Sequence, residues 1–173
     1  MPVFFEILKY ILPALIVFLT SYMLIRKFLE NDHKIRKIDL MLKNEQYILP
    51  VRLQAYERLV LFLERISPES LLMRVNRQGM TSQQLHSELL SIIRSEFEHN
   101  ISQQIYISRE SWEIIKNARS SLINIINTAA KSIEPDSPSI KLSQTILETI
   151  IDKEDSPTNV AIDHIKKEIN ELF

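Results

Sequence analysis

Glu96 and His99 come closer to a catalytic motif than any other residues of this chain. Three positions apart on a helix, a carboxylate and an imidazole share one face, and di-iron helical bundles bind metal with this spacing. Such bundles need a second Glu-x-x-His motif on another helix, and the sequence has none. The other histidines, His33, His86 and His164, form no i, i+4 pair. A metal-dependent helical-bundle enzyme is therefore an alternative that this pair alone supports.

A change of polarity runs along the helix predicted to begin at Ser82. One seam of this helix is apolar as far as Ile92 and polar from Glu96 onward. Either the helix face turns into water there, or the polar side chains form a buried network that specifies one partner or register. The candidate interaction surface consists of Glu96, His99, Asn100, Gln103 and Gln104.

The composition excludes several classes of chemistry. The 173 residues include no cysteine, which excludes disulfides, thiolate metal sites and cysteine nucleophiles. Gly79 is the only glycine, so there is no glycine-rich phosphate loop. A formal net charge of −1 provides no global basic field for nucleic acid. We therefore predict a protein that is not an enzyme, has no cofactor and no nucleic-acid partner.

An uncharged apolar segment extends from Tyr10 to Ile25. Extended back to Val3, it contains 23 residues, which as a helix would cover about 34 Å and cross the hydrocarbon core of a bilayer. A cleaved signal peptide and a buried soluble helix are the alternatives. The chain start is not rich in basic residues, and the segment has no polar face, so both fit less well. We predict a single transmembrane helix.

Basic side chains follow the predicted span. Residues 26–43 contain six basic and three acidic side chains, and the positive-inside rule places such a flank in the cytoplasm. The predicted localisation is the cytoplasmic (inner) membrane, single-pass, with the N-terminus outside and the C-terminal domain cytoplasmic. Each basic group near anionic lipid adds about 1 kcal/mol of attraction. The basic residues expected at the membrane surface are Arg26, Lys27, Lys34, Arg36 and Lys37.

Helical periodicity continues through the rest of the chain, which predicts an all-α fold with a cytoplasmic helical bundle, hairpin or coiled coil. The first helix is predicted to continue beyond the span to about Tyr47, before Pro50. Thr81 with Gln84 forms a capping box, and Ser108 is expected to cap a further helix.

Three domains are predicted. Residues 1–48 would hold the transmembrane helix and its juxtamembrane extension, residues 49–134 the main helical domain, and residues 135–173 an acidic pair of helices. The sequence leaves open whether residues 82–133 form one rod or a hairpin. It also leaves open whether the last two helices pack on the main domain or on a partner.

Two segments resemble an uncharacterised family of single-span, helical membrane proteins from Bacteroidota. They are RLQAYERLVLFLERISPESLLMRV at residues 52–75 and SEFEHNISQQIYIS at residues 95–108. The resemblance covers most of residues 10–133 and includes no catalytic motif. It implies an architecture and no activity.

These observations together favour an interaction protein. We expect a membrane-anchored cytoplasmic helical scaffold or accessory subunit of a membrane protein complex. The alternative is a tether that recruits a soluble cytoplasmic partner to the membrane. Expected partners are membrane lipid and other membrane or cytoplasmic proteins, with a homo-oligomer as a further possibility.

Overall fold

The computed structural model describes the backbone of residues 2–151 and 155–172. Side chains are described in these ranges except at residues 2–14, 37–38, 40–42, 44–45 and 172. The described residues form six α-helices and one 3₁₀ helix and contain no β-strand, which confirms the predicted all-α class. The helices are α1 (Pro2–Ile66), α2 (Pro68–Val75), α3 (Ser82–Asn100), the 3₁₀ helix (Ile101–Ile105), α4 (Arg109–Lys131), α5 (Ser139–Ile151) and α6 (Pro157–Leu172).

The chain divides into two compact units, Met1–Leu49 and Pro50–Phe173. In the first unit, the described apolar side chains of α1 are exposed except that of Leu49, which is half-buried; Leu24 and Phe28 are among the exposed ones. No helix in the described part of the chain is long and apolar enough to cross a membrane. The predicted span of residues 3–25 is thus not confirmed, and the side chains of its residues 3–14 lie outside the described set.

Pro50 does not end α1, contrary to the sequence-based expectation. The helix is assigned without interruption from Pro2 to Ile66. Proline removes one backbone hydrogen bond and crowds the preceding turn, which disfavours a helix interior. Beyond Pro50, the apolar side chains of Tyr56, Leu59 and Leu63 are buried in the core of the second unit. Their packing offsets the proline's cost, so tertiary contacts outweigh the local preference.

The second unit is built on a hairpin of α3 and α4. Thr81 and Gln84 form the predicted capping box at the start of α3. The 3₁₀ helix ends α3, and the Ser108 hydroxyl accepts a hydrogen bond from the Ser111 amide at 3.1 Å to begin α4. These caps break the chain where a continuous rod would otherwise extend, so residues 82–133 form a hairpin.

The last two helices pack on this hairpin. α5 contacts α3 and α4, and α6 contacts α4. Their apolar side chains, including Leu142, Ile146 and Ile165, are buried in the same core as those of α3 and α4. Helices this short are marginal alone. Packing within the chain therefore stabilises them, and no separate partner is needed to do so.

The loop between α2 and α3 is joined to the start of α5 by hydrogen bonds. The Asn76 side chain donates to Ser143 Oγ at 3.0 Å and accepts from Ser139 Oγ at 2.6 Å. The Ser82 amide donates to the Ser137 carbonyl at 2.8 Å. Gly79 has a φ of 84°, which only glycine adopts readily, and turns the loop back toward α3.

Candidate functional site: a charged cleft between α1 and α3

A cleft of about 460 Å³ lies between the last turns of α1 and the end of α3. We call it the α1/α3 cleft. Residues seven apart on a helix share a face, which brings Arg58 and Arg65 to the same opening. Leu61 lies between them and is 52% exposed. The lining residues are Arg58, Leu61, Phe62, Arg65, Ser95, Glu96, His99 and Asn100.

Glu96 is the charged centre of the cleft. Its Oε1 is 2.8 Å from Arg65 Nη2 and 3.9 Å from Arg74 Nη2. The Glu96 side chain is only 17% exposed. Arg74 also donates to the Arg65 carbonyl at 3.1 Å, which holds α2 beside α1. Arg58 also lines the cleft, so its lining holds two guanidinium groups and one carboxylate.

The structure separates the five residues of the predicted interaction surface. Glu96, His99 and Asn100 line the cleft. Gln103 and Gln104 lie on the 3₁₀ helix and are not among its lining residues. The predicted seam therefore stops at Asn100, because the change to 3₁₀ geometry ends the helical register.

Each interpretation of the polarity change, a buried polar network or a face turned into water, applies to part of the predicted interaction surface. Glu96 is held in ion pairs inside the protein. His99 is exposed, and its Nδ1 lies 2.6 Å from the Ser95 carbonyl of its own helix. The Asn100 side chain donates to the Glu96 carbonyl at 2.8 Å and is half-buried. Of the three predicted residues that line the cleft, His99 is thus the exposed one.

His99→Ala should leave the stability of the domain almost unchanged. The imidazole is exposed and its described hydrogen bonds are with Ser95 of its own helix, so we expect a change below about 0.5 kcal/mol in the free energy of unfolding. Urea denaturation followed by the fluorescence of Trp112, the only tryptophan, would measure it. A loss above about 1 kcal/mol would show that His99 belongs to an internal network.

The geometry around Glu96 also bears on the metal-enzyme alternative. Arg65 and Arg74 both pair with the same Glu96 carboxylate oxygen. The His99 imidazole contacts the Ser95 backbone carbonyl. Among the described residues, no three histidine, aspartate or glutamate side chains form a group that could hold a metal ion. The pair therefore has an explanation within the fold as an ion-pair centre and an exposed imidazole.

Arg58 and Arg65 were missed as site residues at the sequence level. The acids Glu57 and Glu64 alternate with them along the chain, a pattern typical of a solvated face. The seven-residue spacing of the two arginines was the available signal. It places both on one face of the helix, while the acids lie one residue earlier and about 100° around the axis. Their partner Glu96 is 31 residues beyond Arg65 (96 − 65) and could not be inferred locally.

A second polar centre lies at the start of α4, around Glu168 of α6. Glu168 Oε1 accepts from the Tyr56 hydroxyl at 2.6 Å and from the Ser108 amide at 3.2 Å. Glu168 Oε2 accepts from the Ser108 hydroxyl at 2.9 Å and from the Ser111 hydroxyl. Arg52 Nη2 lies 3.4 Å from the Tyr56 hydroxyl. We call this set the Glu168 network.

The Glu168 network is suited to holding helices together and poorly suited to proton transfer. Burial raises the pKa of Glu168, but hydrogen bonds from Ser111, Tyr56 and Ser108 outweigh it and hold that pKa below its ordinary value. Burial and the Glu168 carboxylate raise the pKa of Tyr56 to about 12. The carboxylate is a poor base and the phenol a poor acid at neutral pH. The negative charge also favours the N-terminus of α4.

The basic residues predicted to lie at a membrane surface are in the first unit. Arg26 pairs with Glu30 at 3.1 Å and Arg36 with Asp32 at 2.9 Å, both along the helix. Lys27 and Lys34 are exposed, and the Lys37 side chain lies outside the described residues. Exposed pairs of this kind contribute little to stability, about 0.3–0.5 kcal/mol each.

Comparison with known proteins gives one match. A model for a family of unknown function, DUF7935, matches residues 2–172. No curated protein and no solved structure matches the chain. The match is to a family without an assigned activity and covers more of the chain than the resemblance described above. It does not bear on a single span or a source group, which stay predictions.

Proposed function

We propose that this chain, which belongs to the family of unknown function DUF7935, is a membrane-anchored helical scaffold or accessory subunit of a membrane protein complex. In this proposal the first unit attaches the protein to the membrane, and the second unit binds a partner protein through the α1/α3 cleft. The role is one of binding and not of catalysis.

The anchor is supported by the sequence alone. Residues 10–25 contain no charged side chain, and six basic residues follow within residues 26–43. A single span at residues 3–25 would place the second unit in the cytoplasm beside the inner membrane. The basic residues would then contact anionic lipid.

The cleft is the observation that supports partner binding. Arg58 and Arg65 flank the exposed side chain of Leu61, with aromatic Phe62 beneath. Guanidinium groups bind carboxylates through paired hydrogen bonds, and an exposed leucine offers apolar contact. The chemistry fits a protein segment that carries acidic side chains beside an apolar one. His99 adds an exposed imidazole at the same rim.

The same cleft would serve the alternative function, a tether for a soluble cytoplasmic partner. The two functions differ in whether the acidic segment belongs to a membrane protein or to a soluble one. We favour the complex subunit because a protein held beside the bilayer meets other membrane proteins at high effective concentration.

Charge reversal in the cleft tests this proposal. The double variant Arg58→Glu with Arg65→Glu should reduce recovery of a co-purifying partner about tenfold or more, because like charges now meet its acidic segment. Mild-detergent purification of the full-length chain with quantitative mass spectrometry would measure the loss. The identity of the lost protein would separate a membrane partner from a soluble one.

Arg94→Glu is the matched control. Arg94 is exposed on α3 and is not among the residues that line the cleft. The Arg94→Glu substitution makes the same type of charge change in the same unit and should leave partner recovery unchanged. Trp112 fluorescence would verify that each variant is folded. Equal recovery with the cleft variant and the wild type would remove the cleft from the proposed function.

A further inference from the structure

A regular seven-residue pattern occupies the part of α1 that follows the apolar segment. The positions that would face a partner helix, called a and d in a heptad, hold mainly large apolar residues over residues 24–42. Leu24 is 69% exposed, Phe28 72% and Ile35 50%. These seam positions are Leu24, Phe28, Asn31, Ile35, Ile38 and Leu42. An exposed apolar stripe with this period is typical of a coiled-coil seam.

The charges beside this seam are complementary to themselves. Lys27 and Lys34 occupy g positions, and Asp32 and Asp39 occupy e positions. In a parallel pair, each g residue meets the e residue five positions later on the partner helix. Lys27 then meets Asp32 of a second copy, and Lys34 meets Asp39. Both contacts occur twice because the two copies are equivalent.

An antiparallel pair of the same helices would be disfavoured. That arrangement brings g positions together and e positions together, so lysine meets lysine and aspartate meets aspartate. Asn31 is the polar residue of the seam, and in the parallel register it lies opposite Asn31 of the second copy. Asp32 pairs with Arg36 of its own helix through Oδ2. The other Asp32 carboxylate oxygen can accept a hydrogen bond from Lys27 of the second copy.

We propose that residues 24–42 of two copies of this chain form a parallel two-stranded coiled coil. The occupant of the seam is a second copy, because the segment supplies both charge signs in the register that its own sequence requires. The inference does not rest on the proposed partner cleft, which lies in the other unit. It agrees with the proposed anchor, since two copies in one membrane would run parallel.

Single cysteines test the seam directly, because the natural chain has none. Leu24→Cys and Asn31→Cys both place the thiol at d positions, where paired helices bring it within disulfide reach. Mild oxidation of the purified full-length protein in detergent should link both variants into dimers. Arg26→Cys and His33→Cys lie at outward f positions of the same turns and should link poorly. Equal yields at positions 31 and 33 would overturn the proposed seam, and linkage at only one of positions 24 and 31 would overturn the parallel orientation.

Charge reversal tests the register. Lys27→Glu with Lys34→Glu should weaken dimerisation at least about tenfold, because attractive contacts become repulsive. Adding Asp32→Lys and Asp39→Lys should restore it, since the swapped charges again meet their opposites. One readout is the disulfide yield when Asn31→Cys is combined with each charge variant. The other is the molar mass, by light scattering, of the charge variants that lack this cysteine. An unchanged yield after reversal, or no recovery after the swap, would contradict the proposed contacts.

Discussion

Glu168→Ala should lower the free energy of unfolding of the second unit by about 3 kcal/mol. The substitution removes the acceptor for the hydroxyls of Tyr56, Ser108 and Ser111 and for the Ser108 amide. Tyr56 and Ser111 are buried, so water cannot easily replace the lost carboxylate. Each unsatisfied buried group costs about 1–3 kcal/mol. Urea unfolding of the full-length chain, followed by Trp112 fluorescence, would report the change.

Two comparisons identify the carboxylate as the cause. Glu171→Ala truncates an exposed acid on the same helix and should change stability by less than about 0.5 kcal/mol. Because the folded-state pKa of Glu168 is depressed, its contribution is present above the unfolded pKa of about 4.3 and is lost as the pH falls through the folded pKa. The difference between wild type and Glu168→Gln should therefore shrink as the pH falls below about 4. A difference that is independent of pH would contradict the charged network.

Local signals in the sequence predicted the positions of several helix ends. The capping box at Thr81 and Gln84 and the cap at Ser108 involve residues within three positions of one another. Such signals act through the backbone nearby and are readable without the fold. Pro50 was misinterpreted because its local cost competes with burial of residues farther along α1, which no local signal shows.

The placement of the last two helices could not be predicted. Their own periodicity marked the apolar faces, but the residues that hold α6 lie far away along the chain. Tyr56 is 112 residues from Glu168, and Ser108 is 60 residues from it. Glu168 has no partner in its own helix among the described hydrogen bonds. The network depends on the turn between α3 and α4, which places Ser108 and Ser111 within hydrogen-bonding distance of Glu168.

The candidate site was predicted in part. The polarity change noted at Glu96 lies near the C-terminal end of α3, where Glu96, His99 and Asn100 line the cleft. The opposite wall of the cleft was missed, since Arg58 and Arg65 belong to another helix and alternate with acids. Pairing between distant helices decides which charges face a cleft and which face water, and one sequence does not show that pairing.

Phe97→Ala should destabilise the second unit by about 3–5 kcal/mol. Phe97 is 8% exposed and joins three helices. Its ring centroid is 5.4 Å from that of Trp112 and 6.0 Å from that of Phe62. The Arg119 guanidinium lies 4.2 Å from the Phe97 centroid. Truncation would leave a cavity between α1, α3 and α4 and remove the aromatic face beneath the cation.

The contact with Arg119 allows the contribution of the Phe97 ring face to be measured separately from that of its packing volume. Arg119 Nε is buried and has no hydrogen-bond partner among the described residues, and the Phe97 ring face is a favourable contact for the guanidinium. Phe97→Leu keeps an apolar side chain but removes this face, and should cost about 1–2 kcal/mol. In the Arg119→Met background the cost of Phe97→Leu should fall, and the difference measures the coupling between Phe97 and Arg119.

Ile140→Ala, a truncation at an exposed site, is the control and should cost less than about 0.5 kcal/mol. Far-UV circular dichroism should follow unfolding here, because Phe97 stacks on the fluorescent Trp112. If Phe97→Leu cost the same with and without Arg119, the ring would act through packing alone.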